Sequence, residues 1–393
     1  MNLHILEPEV QRYLRRPEQI DPASMALKKS PFLNVSSLEL AQQLDARRRC
    51  RKKLPLWYNA TGIYYPEKRA IEQASSELTA KYKAALIAPG SRMADLTGGF
   101  GVDAFFFAKH AASVTHCEKI ELLSQIAQHN ASVLNADNMG FVASDGMAYL
   151  LDQPTDTFDC MFIDPSRRVQ QRRVFRLEDC EPDVVKYQEQ LLEKTARVFI
   201  KAAPLLDISI AMNALKNIRE IHVISMDNEC KELLLILDRK PTATPRIIAV
   251  MLDGGQQHTF PFHIAEEKAA MPEYGLPEYY LYEPDAALLK CGAFKLVAQH
   301  YKLKKLHRHT HLYTSTDYIP GFSGRIFRID KTVDYTDFKR NKKSIRGNIS
   351  ARNFPLKPEE LRKKHQIQDG GDTYLFFCKG IDEAPLVIFS SKC

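Results

Sequence analysis

Between residues 91 and 252, short apolar runs alternate with stretches of helical period. The runs are Ser91–Leu96, Ser113–Glu118, Phe141–Gly146, Thr157–Asp164, Arg197–Ala202, Glu220–Ser225, Lys231–Leu237 and Arg246–Leu252. Bounded by turn residues, each reads as a strand. Helical patterns fill Val102–Ala108, Leu122–Leu134 and about Leu205–Asn217. Strand and helix in alternation predict an α/β chain with a helix-linked parallel sheet. The turn Asp227-Asn228-Glu229 between two of the runs predicts an antiparallel hairpin at the end of that sheet.

Outside this region the pattern changes. Residues 1 to about 65 read as helical, with one helix over Leu38–Leu44 capped by Ser36 or Ser37. A second helix is predicted over Gln73–Leu86, with Ser75 or Ser76 near its start. Gly254-Gly255 and the stretch to about Pro277 read as a linker or extension. Two small units follow. Tyr279 to about Arg328 gives a strand, a helix from near Pro284 and a histidine-rich strand in which His307, His309 and His311 share one polar face. Tyr335 to Cys393 gives a helix over Lys357–His365 and a terminal hairpin.

Composition narrows the class. The chain has 393 residues, 45% of them hydrophobic and 26% charged, the balance of a globular protein. No run of 18 apolar residues predicts a membrane helix, and the N-terminus lacks the apolar core of a secretory signal. Eight cysteines are scattered without CxxC pairs, as in a cytoplasmic protein with reduced thiols and no metal site. The net charge of +7 is uneven: from Lys302 onward there are 19 Lys+Arg against 10 Asp+Glu. That asymmetry suits a polyanionic partner on the C-terminal part, or else a solvated basic face. Arg47 to Lys53, six basic residues in seven, run toward Trp57, Tyr58, Tyr64 and Tyr65. Such interleaving suits single-stranded nucleic acid, or equally a basic helix end beside core aromatics.

The chemistry concentrates at Ser91–Asp103, SRMADLTGGFGVD. A strand runs through Thr97-Gly98-Gly99-Phe100-Gly101 into a helix, the opening of a nucleotide-binding unit. Gly99-x-Gly101-x-x-Ala104 also fits the dinucleotide fingerprint, so the loop alone leaves the adenosine cofactor open. Asp95, before the loop, suits a cationic amino-acid group better than a pyrophosphate. The spacing Asp-x-x-Gly-Gly-x-Gly resembles the first motif of class I S-adenosylmethionine-dependent methyltransferases. Glu118 lies 17 residues past Gly101 at a strand end, placed to accept from ribose hydroxyls. Asp145, in an Asp-Gly turn, stands where methyltransferases commonly hold the adenine amino group.

A second stretch ends in Asp164-Pro165-Ser166-Arg167. It resembles the Asp-Pro-Pro-Tyr motif of amino-group methyltransferases, with Ser166 and Arg167 replacing the second proline and the aromatic. The resemblance implies that Asp164 and the Pro165 carbonyl orient an amino nucleophile while Ser166 and Arg167 shape its pocket. Arg167, Arg168, Arg172, Arg173 and Arg176, with Phe175, form a basic loop suited to a phosphate backbone or to salt bridges with Glu178, Asp179 and Glu181.

These motifs, with Arg352–Leu356, Glu359–Lys364 and Asp369–Phe376, resemble bacterial class I methyltransferases that carry a ferredoxin-like segment and a C-terminal THUMP-like domain. The implied division is a helical segment over 1–70, a cofactor-binding domain over 71–265, a ferredoxin-like segment over 278–330 and a THUMP-like domain over 331–393. The resemblance implies an S-adenosylmethionine-dependent methyltransferase acting on a base amino group of structured RNA, either tRNA or rRNA. Asp95, Thr97, Gly98, Gly99, Gly101, Asp103, Glu118 and Asp145 would hold the cofactor. Two other readings stay open: an RNA-binding protein that keeps the fold without catalysis, and an NAD-dependent oxidoreductase.

Overall fold

A computed structural model describes residues 1–16, 21–167, 176–240, 244–340 and 345–393, with Arg167 described by its backbone alone. The described chain clusters into two units, Met1–Arg219 with Leu234–Ala243, and Glu220–Leu233 with Thr244–Cys393. The division passes through the two strands of a hairpin.

In the first unit, β1 (Arg92–Asp95), β2 (Ser113–Cys117), β3 (Met139–Val142), β4 (Cys160–Ile163) and β5 (Arg197–Ala202) are sheet strands. The hairpin β6 (Ile218–Met226) and β7 (Glu229–Asp238) turns at Asp227 and Asn228, both at positive φ (53° and 60°) as a two-residue loop requires. Two further strands, β8 (Arg246–Asp253) and β9 (Gln256–His263), which fall in the second unit, complete a nine-stranded sheet of order β9-β8-β6-β7-β5-β4-β1-β2-β3. β1 pairs in parallel with both β2 and β4. The predicted hairpin is therefore present, and the sheet continues beyond it. The stretch after Gly254-Gly255 is no linker: it returns antiparallel along β8 and enters a short helix, Ile264–Ala269.

The strands are apolar because both faces are covered; all four residues of β4 are buried. The N-terminal helices brace the sheet. Helix α1 (Ser37–Lys53) starts at a capping box, Ser36 with Glu39, and extends through the basic run. Helix α2 (Glu77–Ala84) is capped by Ser76. Helix α3 (Val102–Ala108) follows the glycine loop with every side chain buried. Trp57 is 1% exposed and meets Phe105 edge-on at 5.0 Å, while Tyr65 is buried with its hydroxyl on the Trp57 carbonyl. Arg47 lies 3.9 Å over the Tyr58 ring. The nucleic-acid reading of this stretch is thus corrected for Trp57 and Tyr65: their rings are core, out of reach of a base.

The second unit holds a seven-stranded sheet. Its strands are β10 (Tyr280–Pro284), β11 (Lys304–Lys305), β12 (Tyr313–Ser315), β13 (Gly324–Asp334), β14 (Asn348–Arg352), β15 (Thr373–Lys379) and β16 (Pro385–Lys392), in the order β11-β12-β10-β13-β16-β15-β14. The histidine-rich segment is not a strand. It is the turn between β11 and β12, where His311 sits at φ 53° and stacks on Phe294 at 3.6 Å. His307 is buried there against Glu383 at 2.8 Å. Among the described residues no group of His, Cys, Asp and Glu is arranged to hold a metal, and no helix is long and apolar enough to cross a membrane.

Candidate active site

β1 and β4 are neighbours in the sheet although β2 and β3 lie between them in sequence and follow β1 on its other side. The chain reverses direction of build-up between them, and ligands of open α/β sheets bind at such a point, beyond the carboxyl ends of the strands. Asp95 ends β1, Glu118 follows β2, Asp145 follows β3 and Asp164 follows β4. Four of the predicted acids therefore stand at one edge of the sheet because each lies at, or within three residues of, the end of a parallel strand.

The glycine loop is built around His116. This ring is fully buried beneath Gly98, where a Cβ would lie 2.2 Å from the ring. No side chain larger than hydrogen fits there. Gly99 and Gly101 take positive φ (54° and 82°), which lets the loop turn into α3. A Cβ built on Gly99 meets nothing nearer than the Thr97 carbonyl at 3.8 Å, so the loop's outer face is open. Burial holds the His116 imidazole neutral, with its pKa lowered to about 4.

Glu118 ties the loop to β2: its carboxylate accepts from the Gly99 N–H at 2.9 Å and the Ile120 N–H at 2.8 Å. Asp95 is 1% exposed and accepts from the Thr97 N–H at 3.1 Å. Burial first, then the Asp103 carboxylate, push its pKa well above the usual value, and Asp164 and Glu118 add to this. Asp103 faces a different balance. Burial opposes its ionisation, but the Lys83 and Lys201 cations and the Ser75 hydroxyl outweigh it and hold its pKa low. Lys83, fully buried on α2, pairs with Asp103 at 3.0 Å and donates to Ser75 at 2.7 Å. Asp103 thus anchors α3 to the N-terminal helices. Asp145 is exposed and caps helix α5 (Gly146–Leu151; α4 is Glu121–Val133) by accepting from the Ala148 N–H at 2.9 Å.

The acceptor motif joins this cluster through Thr97, whose Oγ1 accepts from the Asp164 N–H at 2.7 Å. Across the β4–β5 pair, where Ile163 lies opposite Ile200, Lys201 reaches the Asp164 carboxylate at 2.5 Å. Pro165 is buried. Ser166 is exposed, and the Ser166-Arg167 backbone pairs with Cys180-Glu181. Arg168, Arg172, Arg173 and Phe175 lie outside the described residues; Arg176 is exposed. Lys83, Lys201 and His116 are the residues that sequence reasoning missed. Each sits in an otherwise routine helix or strand, and only the sheet order reveals its neighbour.

Asp95, Asp103, Glu118 and Asp164 are opposed here by two lysines, Lys83 and Lys201. Four carboxyl groups facing two lysines, beside an open glycine face, fit a cationic ligand and disfavour a pyrophosphate. Carboxylate-ended β1, the glycine loop, the strand order and the inserted hairpin together define a class I methyltransferase fold. A crystal structure named as a candidate methyltransferase of Porphyromonas gingivalis W83 matches with a TM-score of 0.86 and 30% identity, over 99% of this chain and 98% of that one. The pattern of a ferredoxin-like domain matches residues 280–322, and that of a THUMP-like domain residues 324–392. The chain belongs to the family of that Porphyromonas protein. A Streptococcus mutans candidate methyltransferase in complex with SAH matches at 14% identity and a TM-score of 0.31, over 41% of this chain and 96% of that one. No protein of curated function matches the sequence.

Proposed function

We propose that the protein is an S-adenosylmethionine-dependent methyltransferase that modifies a base amino group of structured RNA, tRNA or rRNA. The observation that carries this reading is the Thr97–Asp164 hydrogen bond, which places the acceptor motif beside the glycine loop. Asp95 would hold the cofactor's ammonium group, Glu118 its ribose hydroxyls and Asp145 its adenine amino group. Thr97, Gly98, Gly99 and Gly101 would form the cradle, and Asp103 would brace it from beneath. When bound, S-adenosylmethionine supplies a methyl group already activated by the adjacent sulfonium. The protein's part is orientation. Asp164 and the Pro165 carbonyl accept the two N–H bonds of the nucleophile and aim its lone pair at the methyl carbon, and such positioning supplies much of the rate. A neutral amine needs no strong base; the product's proton leaves to solvent.

The THUMP-like module and the basic stretch from Lys302 onward support RNA as the substrate. The eight cysteines, none of them in a disulfide, support a cytoplasmic site of action. The test is transfer of labelled methyl to RNA from cells deleted for this gene. The wild-type protein should label that RNA, and Asp164→Ala should lower the rate by about 100-fold or more. Wild-type protein that binds the RNA without labelling it would overturn the catalytic reading in favour of RNA binding alone. Replacing the exposed Lys363 and Lys364 by alanine should weaken RNA binding and flatten its salt dependence.

A further inference from the structure

We propose that Lys201 is a positioning residue of the acceptor site that does the work left undone by the absent aromatic, and that it selects a neutral amine as acceptor. The proposal rests on the methyltransferase reading and deepens it. Lys201 sits one residue before the end of β5, its side chain 12% exposed, and its ammonium is 2.5 Å from Asp164 Oδ2. The backbone of Asp164 is held separately, by its N–H on Thr97 Oγ1. The residue is therefore held at two points, its N–H by the loop after β1 and its carboxylate by β5. In the aromatic form of this motif a ring would stack on the base and set its plane. Here Arg167 stands in the aromatic's place, so that position carries no aromatic ring. Orientation must come from the carboxylate itself, and the lysine supplies it by engaging Oδ2 and leaving Oδ1 to face the acceptor.

The same contact sets the chemistry of the acceptor. With Oδ2 taken, the acceptor must donate N–H to Oδ1. A protonated alkylamine, such as a lysine side chain, would meet the Lys201 cation and compete with it for one carboxylate. An exocyclic base amine is neutral at pH 7 and meets no such repulsion. The site therefore favours a nucleobase over a protein amine.

The experiment compares wild type, Lys201→Met and Lys201→Arg. S-adenosylhomocysteine binding is measured by calorimetry, and kcat and KM are measured with RNA from gene-deleted cells. Lys201→Met is expected to fold as the wild type by circular dichroism and still to bind S-adenosylhomocysteine, which shows that the fold and the cofactor cradle survive. It should keep KM for RNA and lose on the order of 100-fold in kcat, the cost of a misplaced reacting group. Lys201→Arg should recover most of the loss, because a guanidinium can hold the same oxygen. Undiminished kcat in Lys201→Met, or no recovery in Lys201→Arg, would overturn the role of the lysine while leaving the methyltransferase reading intact. Failure of the wild-type protein to transfer methyl would overturn both.

Discussion

Asp95 in the first unit and Glu283 in the second are equally buried, each 1% exposed and each on a strand, yet their surroundings are opposite. Glu283 is saturated. It accepts from Arg325 Nε at 2.8 Å, from Arg325 Nη2, from Arg352 Nη2 at 2.9 Å and from the Ser350 hydroxyl at 3.2 Å. Asp95 has the Thr97 N–H, and its charged neighbours are three carboxylates. A buried acid with a full set of cations is scaffold that welds β10, β13 and β14. A buried acid left in a negative field is under-compensated in the free protein and is completed by a cation from outside.

That contrast is broken most forcefully at Glu283. Glu283→Ala strands two arginines, and because each is about one-third exposed the loss should be near the lower end for a broken buried pair, about 3 kcal/mol by denaturant unfolding. S-adenosylhomocysteine affinity should not change. A smaller loss, about 2 kcal/mol, is expected for Gly98→Ala, since the added methyl collides with His116. Ligand binding should go with it, and a second change, His116→Ala, should recover part of the stability.

The subtlest effect belongs to Asp95→Asn. The folded-state pKa of Asp95 is raised, so the folded protein holds that proton more tightly than the unfolded chain does. Its contribution is favourable at low pH and is lost as pH rises from the unfolded value, about 4, through the raised one. His116, lowered to about 4, acts in the opposite sense and costs stability as pH falls from 6.5. The difference between wild type and Asp95→Asn isolates the acid. Relative to wild type, the variant should gain stability as pH rises, read from unfolding curves between pH 4 and 8.

Much of the site was legible because its acids lie at or just beyond the ends of strands. Asp95, Glu118, Asp145 and Asp164 each stand between an apolar run and a turn, and a parallel sheet carries all such positions to one edge. Asp103 was legible as a residue of the loop, but its role was not. Its partner Lys83 lies twenty residues earlier, on a helix whose packing the local pattern does not specify. Lys201 and His116 were hidden for a related reason: each is a polar residue inside a strand, and what it touches depends on which strand lies beside it. The His307–His311 alternation misled because the spacing of three histidines does not distinguish a strand from a turn: here Arg308 and His309 are both exposed between buried His307 and Thr310. The turn conformation, with His311 at positive φ, is imposed by stacking on Phe294 and the pairing of His307 with Glu383.

The most direct test of the under-compensated site is calorimetric titration of the intact protein with S-adenosylhomocysteine and, separately, NAD, in buffers of different ionisation enthalpy. The account predicts binding of S-adenosylhomocysteine on the order of micromolar and no binding of NAD. It also predicts a buffer-dependent heat from the proton that Asp95 releases when an ammonium group replaces it. Asp95→Asn should weaken that binding by about 10-fold or more and abolish the buffer dependence. Binding of NAD alone, or S-adenosylhomocysteine affinity untouched by Asp95→Asn, would contradict it.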